Sequence, residues 1–479
     1  MTTAEIIARK IPYLKRFRKE LFIVIIFLIG FVWRFWNFPN NIMWSGDAGR
    51  DLLAAYLIAD DGQRPVFGHW NSGLGAVYPP IYYYFLAGLT FIIDDYRWVV
   101  GLLIFLHSLS SLLVYKITRQ FFSWEISTIV CFMFASSRLA IIVAAAPITA
   151  HFAFLVFLIS LFLMTNYLKH ARLWSLMLAS FFLVLSIAIF YGGVIFIPIY
   201  ALVVAFVQRE NGKKMLISLT YLLLFISSLF IIFYQASFFL NWKHFLFFNN
   251  HPSNMLSNLI SNYSIVAELK RYFLYPRFFL IFFTFLWLIA IKKKNFVYAF
   301  FSFSIFILVS LAAAVFHEPL PHFSLYGMPF FYLSLAITFR IFQKKYGRLL
   351  FTMVFIVYLV ISGSYFPVKS IYFVPTPNTY RKLDKWLQSN YPEHNAQIFG
   401  SDSSNWDSRS LWYFQRKRLD FSVEENSQIK QIPSNKDLEV CMHHQDSSHC
   451  QKLFRNKNFL SLENLEIDDR NFWLFEKIN

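Results

Sequence analysis

Charged side chains are scarce in this sequence: Asp, Glu, Lys and Arg make up 15% of 479 residues, while 57% are hydrophobic and 20% aromatic. Together with a mean hydropathy of +0.48, that deficit excludes an ordinary soluble domain, and the apolar runs recur at bilayer-spanning length. No repeat recurs at a fixed period, and no low-complexity linker divides the chain. The basic opening MTTAEIIARKIPYLKRFRKE is not followed by a small-residue cleavage site, so the apolar run from Leu21 to Trp36 reads as an uncleaved first span. These features predict an all-α polytopic membrane protein.

The net charge of +17 does not point to nucleic acid. Its Lys and Arg sit in short clusters between apolar runs, as expected of cytoplasmic loops at anionic lipid. Spans are expected near 21–36, 98–115, 126–146, 148–168, 173–191, 194–207, 215–235, 277–291, 296–316, 329–342 and 349–366, about eleven transmembrane helices in all. Basic clusters at Lys116 to Arg119, Lys169 to Arg172, Gln208 to Lys214, Lys292 to Lys294 and Gln343 to Arg348 all fall on the cytoplasmic side only if the run Ile81 to Ile93 stays out of the bilayer core. Residues 37–97 are therefore expected wholly outside, with one helix from about Ala48 to Asp60 and a second, juxtamembrane one from about Pro80 to Ile93. Tyr78, Tyr82, Tyr83 and Tyr84 would lie in the headgroup belt.

Two domains follow: a transmembrane unit over 1–366 and a small extracytoplasmic α/β domain over 367–479. In the latter AQIFGS and NFWLFEKI read as strands and SSNWDSRSLWYFQRK as a helix. Other outer segments are 236–276, with Lys243, His244, Lys270 and Arg271, and HEPLPHFSLYGMP, His317 to Pro329. Of three cysteines, Cys131 lies within a span and reads as a buried small hydrophobe. Cys441 and Cys450 are expected to face an oxidising compartment and read as a disulfide across a hairpin, the alternative being a metal site built with His443, His444 and His449.

The stretch GDAGRD carries the chemistry. Asp47, Arg50 and Asp51, spaced three and four apart, share one face of a helix at the outer water boundary. There a carboxylate would take a proton from an acceptor hydroxyl while the cation meets a phosphate. The alternative is a simple helix start, Asp47 as N-cap and Arg50 and Asp51 as its solvated first turn.

GDAGRD, followed by YPPIYYYFLAGL, resembles the opening of GT-C membrane glycosyltransferases, most closely the branch of the protein O-mannosyltransferases and the lipid A aminoarabinose transferase. Arg97 is similar to an Arg preceding the second span, SSRLAIIVAAAPIT to the end of the third, and PHFSLYGMPFFYL to a late motif with a His or Tyr before a span. Three positions depart from the family: Ala48 stands where a second carboxylate is common, Ala144 to Ala146 where an Asp is usual, and Tyr78 where a Lys precedes the proline pair. The WWDYG signature of oligosaccharyltransferases is missing.

The resemblance implies transfer of a sugar from a polyprenyl-phosphate donor to a glycan, lipid or protein acceptor outside the cytoplasmic membrane, with inversion and Asp47 as general base. Because polyprenyl phosphate leaves as a stable anion, cations suffice for it; Arg50, Arg97, Arg138, Lys270 and Arg271 are the candidates. Asp51, Tyr78 and His322 join them as substrate-binding candidates, and His69 beside Trp70 either shapes a sugar pocket or is an ordinary interfacial turn. No cofactor is required, although His317, Glu318 and His322 have the donor types for a divalent metal; Pro319 and Pro321 deny them helical spacing. A transporter or flippase of lipid-linked sugars, or a non-catalytic relative that only binds them, remains the competing class.

Overall fold

A computed structural model describes residues 21–246 apart from short gaps, parts of 325–340, residues 386, 389 and 390, and five strands between 396 and 477. Helix α1 (Ile23–Phe35) is followed by α2 (Gly46–Asp61), a two-residue hairpin of β1 (Trp70–Asn71) and β2 (Ala76–Val77), and α3 (Ile81–Ile92). Helix α3 has 12 residues. At 1.5 Å per residue that is about 18 Å, against about 30 Å of hydrocarbon, so this helix is too short to cross.

The next helix follows at once. Asp95 accepts a hydrogen bond from the Arg97 amide (2.9 Å) and starts α4 (Tyr96–Arg119), whose last turn carries Lys116 and Arg119 against the negative end of the helix dipole. Helices α4 and α7 (Thr149–His170), together with Gly212–Leu229, are long and apolar enough to cross a membrane. Helix α7 stops where Ala171 turns left-handed (φ 51°) and returns its amide to the Tyr167 carbonyl at 2.7 Å.

The expected span 126–146 is not one helix. It breaks at Ser136 and Ser137 into α5 (Trp124–Ala135) and α6 (Arg138–Ala144), because serine hydroxyls there compete for helix carbonyls and amides. Helix α7 then packs on α8 (Leu173–Ile189) through small residues: Ser160 donates to the Ala179 carbonyl (2.5 Å) and Ser186 to that of Ala153 (2.8 Å). A 3-10 turn at Tyr191–Gly193 precedes α9 (Phe196–Val207).

Two more expectations change. Helix α10 (Gly212–Leu246) continues through the start of what was expected as the outer loop 236–276, since its apolar and aromatic run has no helix breaker before Leu246. In the expected outer segment 317–329, residues 325–329 are helical, and Leu325, Tyr326 and Met328 are buried in the core. Tyr82 and Tyr83 also turn inward; only Tyr84 of the run 82–84 is exposed, its hydroxyl donating to the Pro65 carbonyl at 3.1 Å.

The C-terminal strands are β3 (Ala396–Gly400), β4 (Leu419–Ser422), β5 (Leu438–His443), β6 (Phe459–Ile467) and β7 (Arg470–Lys477). They form one mixed sheet in the order β4-β3-β5-β7-β6, parallel across β4, β3 and β5 and antiparallel thereafter. Both runs read as strands from sequence lie in it; the expected helix at 403–417 lies outside the described residues.

Candidate functional site

Helix α2 opens at Gly46, so Asp47 stands in its first turn, shortly after the C-terminal end of α1. Below it the helix turns apolar. Ala48, Leu52 and Ala55 are fully buried in one cluster with Tyr82 and Leu86 of α3, which holds the two short helices together. Ala48 stands where the resembling family often has a second carboxylate; here that position is core, and a charge would be buried at a cost of several kcal/mol, of order ~3 or more.

Asp51 is also fully buried. Arg50 donates to its Oδ1 through Nε (2.9 Å) and Nη2 (2.7 Å), so the cation expected to meet a phosphate is held by the carboxylate next to it in sequence. The same carboxylate reaches α3: burial first, and the Asp51 charge second, push the Tyr82 hydroxyl well above its ordinary value.

The loop between the short helices is drawn back onto the proline pair. The Gly68 amide donates to the Tyr78 carbonyl at 2.7 Å, and a Cβ at Gly68 would sit 2.9 Å from the Pro79 carbonyl oxygen, so only glycine fits there. Tyr78 itself is buried, stacks on Phe190 and Tyr191, and accepts the Tyr191 amide at 3.3 Å. Arg97 pairs with Asp95, donating through Nε at 2.8 and 2.7 Å and through Nη2, in a partly exposed position.

Arg138 begins α6, directly after the break. Behind α6, Ala144 and Ala146 line a cavity of about 20 Å³ with Tyr82, His107 and His151, large enough for about one water. His151 Nδ1 lies 2.7 Å from the Ala146 carbonyl, and both His107 ring nitrogens are buried without a hydrogen-bond partner among the described residues. Cys131 is fully buried, its thiol donating to the Ser111 carbonyl at 3.1 Å.

Sequence reasoning missed Arg34, Tyr82, His107 and His151. For Arg34, His107 and His151 the signal was present, since an ionisable residue inside a span is a functional suspect. His69, Lys270, Arg271, His317, Glu318, His322 and Cys450 lie outside the described residues; Cys441 lies on β5, in register with Trp473. Among the described residues, no group of three or more His, Cys, Asp or Glu side chains is placed to hold a metal.

An apolar first helix, two short helices carrying an acidic motif and a following bundle of apolar helices form an arrangement that recurs in solved structures. The chain is similar over 95% of its length to ArnT from Cupriavidus metallidurans, a lipid A aminoarabinose transferase, solved bound to undecaprenyl phosphate: TM-score 0.63, 12% identity, 97% of that chain covered. Apo ArnT from the same organism matches at TM-score 0.58 with 12% identity and the same coverage. The apo oligosaccharyltransferase of Archaeoglobus fulgidus matches at TM-score 0.51 and 13% identity, over 85% of this chain and 65% of that one. No family model and no curated protein matches the sequence.

Proposed function

We propose that this membrane protein is a glycosyltransferase that moves a sugar from a polyprenyl-phosphate donor to an acceptor hydroxyl at the outer face of the cytoplasmic membrane. The observation that carries this reading is the placement of GDAGRD. It starts a helix at the outer end of the first span, beside a second helix too short to cross, in a chain with the fold of a protein solved with undecaprenyl phosphate.

Asp47 takes the proton of the acceptor hydroxyl as its oxygen bonds to the anomeric carbon. The bond from that carbon to the carrier phosphate breaks on the opposite face, which inverts the centre. The first turn of a helix favours the negative charge that a base needs. Polyprenyl phosphate departs as an anion, met by Arg50, Arg97 and Arg138, with Lys270 and Arg271 as further candidates. Asp51, fully buried, fixes the Arg50 guanidinium rather than reacting itself. The scheme uses no cofactor, and the N-terminus is cytoplasmic with residues 37–97 and 367–479 outside.

The test is a strain lacking this protein, complemented with the native chain or with Asp47→Asn. Mass spectrometry of surface glycans should show restoration only by the native chain, because a general base supplies about 10²- to 10⁴-fold in rate. The purified variant should still bind undecaprenyl phosphate. Restoration by Asp47→Asn would reject Asp47 as the base, and a flippase of lipid-linked sugars would be little affected by the substitution.

A further inference from the structure

The break between α5 and α6 leaves carbonyls at the C-terminal end of α5 that no further turn of helix can satisfy. Ser136 covers part of this locally, its hydroxyl donating to the Phe132 carbonyl at 2.8 Å. The Ser137 amide donates to the Phe134 carbonyl at 3.2 Å and the Ser136 hydroxyl also lies 3.3 Å from the Met133 carbonyl, and two side chains remote in sequence add to this. Tyr332, in the helical stretch 325–333, donates its hydroxyl to the Met133 carbonyl at 3.2 Å across 199 residues. Arg34, at the outer end of α1, donates Nη1 to the Ala135 carbonyl at 2.9 Å across 101 residues and to its own Gly30 carbonyl at 2.9 Å.

Arg34 is fully buried. A buried guanidinium is a costly way to satisfy one carbonyl, which a serine would do. What it adds is a single nitrogen, Nη1, bridging a carbonyl of α1 and a carbonyl of α5, which fixes the separation of the two helices at that point. The sequence makes room for it: a Cβ at Gly30 would sit 2.9 Å from the Ala135 Cβ and 3.1 Å from Arg34 Nη1. The residue that begins the next helix, three positions after Ala135, is Arg138.

We infer that Arg34 and Tyr332 are positioning residues that hold the α5–α6 break from two sides and thereby set the backbone of Arg138. This rests on the reading of Arg138 as a cation for the donor phosphate. Neither residue touches substrate; each acts through the carbonyl it holds.

The experiment is a double-mutant cycle on the full chain in lipid nanodiscs, with undecaprenyl phosphate as probe and its Kd as readout. Arg138→Ala should weaken binding at least about tenfold, the loss of a charge-assisted contact. Arg34→Lys, which keeps the charge but ends short of the Nη1 position that bridges the two carbonyls, and Tyr332→Phe, which removes one oxygen, should each weaken it about three- to tenfold. In the Arg138→Ala background both effects should vanish, because all three substitutions act on one contact. Should Arg34→Lys fail to fold, the Tyr332→Phe cycle decides alone. Undiminished effects in the Arg138→Ala background would make Arg34 and Tyr332 general scaffold and overturn the inference, as would no effect in the native background. If Arg138→Ala binds normally while Asp47→Asn abolishes glycan restoration, this inference falls and the glycosyltransferase reading stands; restoration by Asp47→Asn rejects Asp47 as base and leaves the cycle to be read on its own.

Discussion

Arg50 and Asp51 are neighbours in sequence and partners in space, the guanidinium donating through Nε and Nη2 to a single carboxylate oxygen that no solvent reaches. Removing one member of such a pair leaves the other poorly compensated. Asp51→Asn should therefore lower stability by about 1–3 kcal/mol, below the full cost of a buried pair because Arg50 is partly exposed. Thermal unfolding in detergent reads this, and an unchanged Tm would reject a holding role for Asp51.

Tyr82 gives a dependence on pH. Its hydroxyl is held well above the ordinary value of 10.0, so above that pH the folded chain keeps a proton the unfolded chain has lost. Stability then falls with rising pH, by about 1.4 kcal/mol per pH unit from this group. Tyr82→Phe removes the effect. Between about pH 10 and about pH 11 the native chain should lose more stability than Tyr82→Phe does; equal losses would show that Asp51 and burial do not act on this hydroxyl.

At Gly30 the separation between α1 and α5 is tested directly. Gly30→Ala puts a methyl 2.9 Å from the Ala135 Cβ, an overpacking that should cost about 1–3 kcal/mol. Adding Ala135→Gly removes that clash and should recover much of the loss. A double variant no better than the single would place the strain elsewhere.

Topology is open to cysteine labelling. Val66, exposed in the loop after α2, should react as Val66→Cys with a membrane-impermeant maleimide added to intact cells, while Lys213→Cys, exposed beside the start of α10, should not. Both substitutions are made in a chain carrying Cys441→Ser and Cys450→Ser, which by itself sets the background, since its remaining Cys131 is fully buried. Labelling of Lys213→Cys from outside would invert the orientation.

The architecture was legible where period and composition act locally. The helices at Gly46–Asp61 and Ile81–Ile92 were readable from GDAGRD and the proline pair, and the 12-residue length of the second agrees with the expectation, drawn from the basic clusters, that it does not cross. What escaped is what depends on distant parts of the chain. The break after Ala135 lies inside an apolar run with no proline or glycine to mark it, and its carbonyls are held by Arg34 and Tyr332. Aromatics expected in the headgroup belt, Tyr82 and Tyr83, are buried, Tyr82 in one cluster with α2, a fact of packing that the period of α3 alone does not contain. The pairing of Arg50 with Asp51 was hidden for a related reason, since the helical period compares residues three and four apart and overlooks immediate neighbours.

The span of 199 residues between Met133 and Tyr332 also sets an order of assembly during biosynthesis. At about 5–20 residues per second, the ribosome delivers Tyr332 roughly 10–40 s after Met133 has emerged. Throughout that interval Arg34 alone can brace the discontinuity from afar, so a nascent chain truncated before residue 332 would carry Arg138 on a half-finished mount. Completion of the brace at the α5–α6 break is thereby deferred until most of the polypeptide has been made.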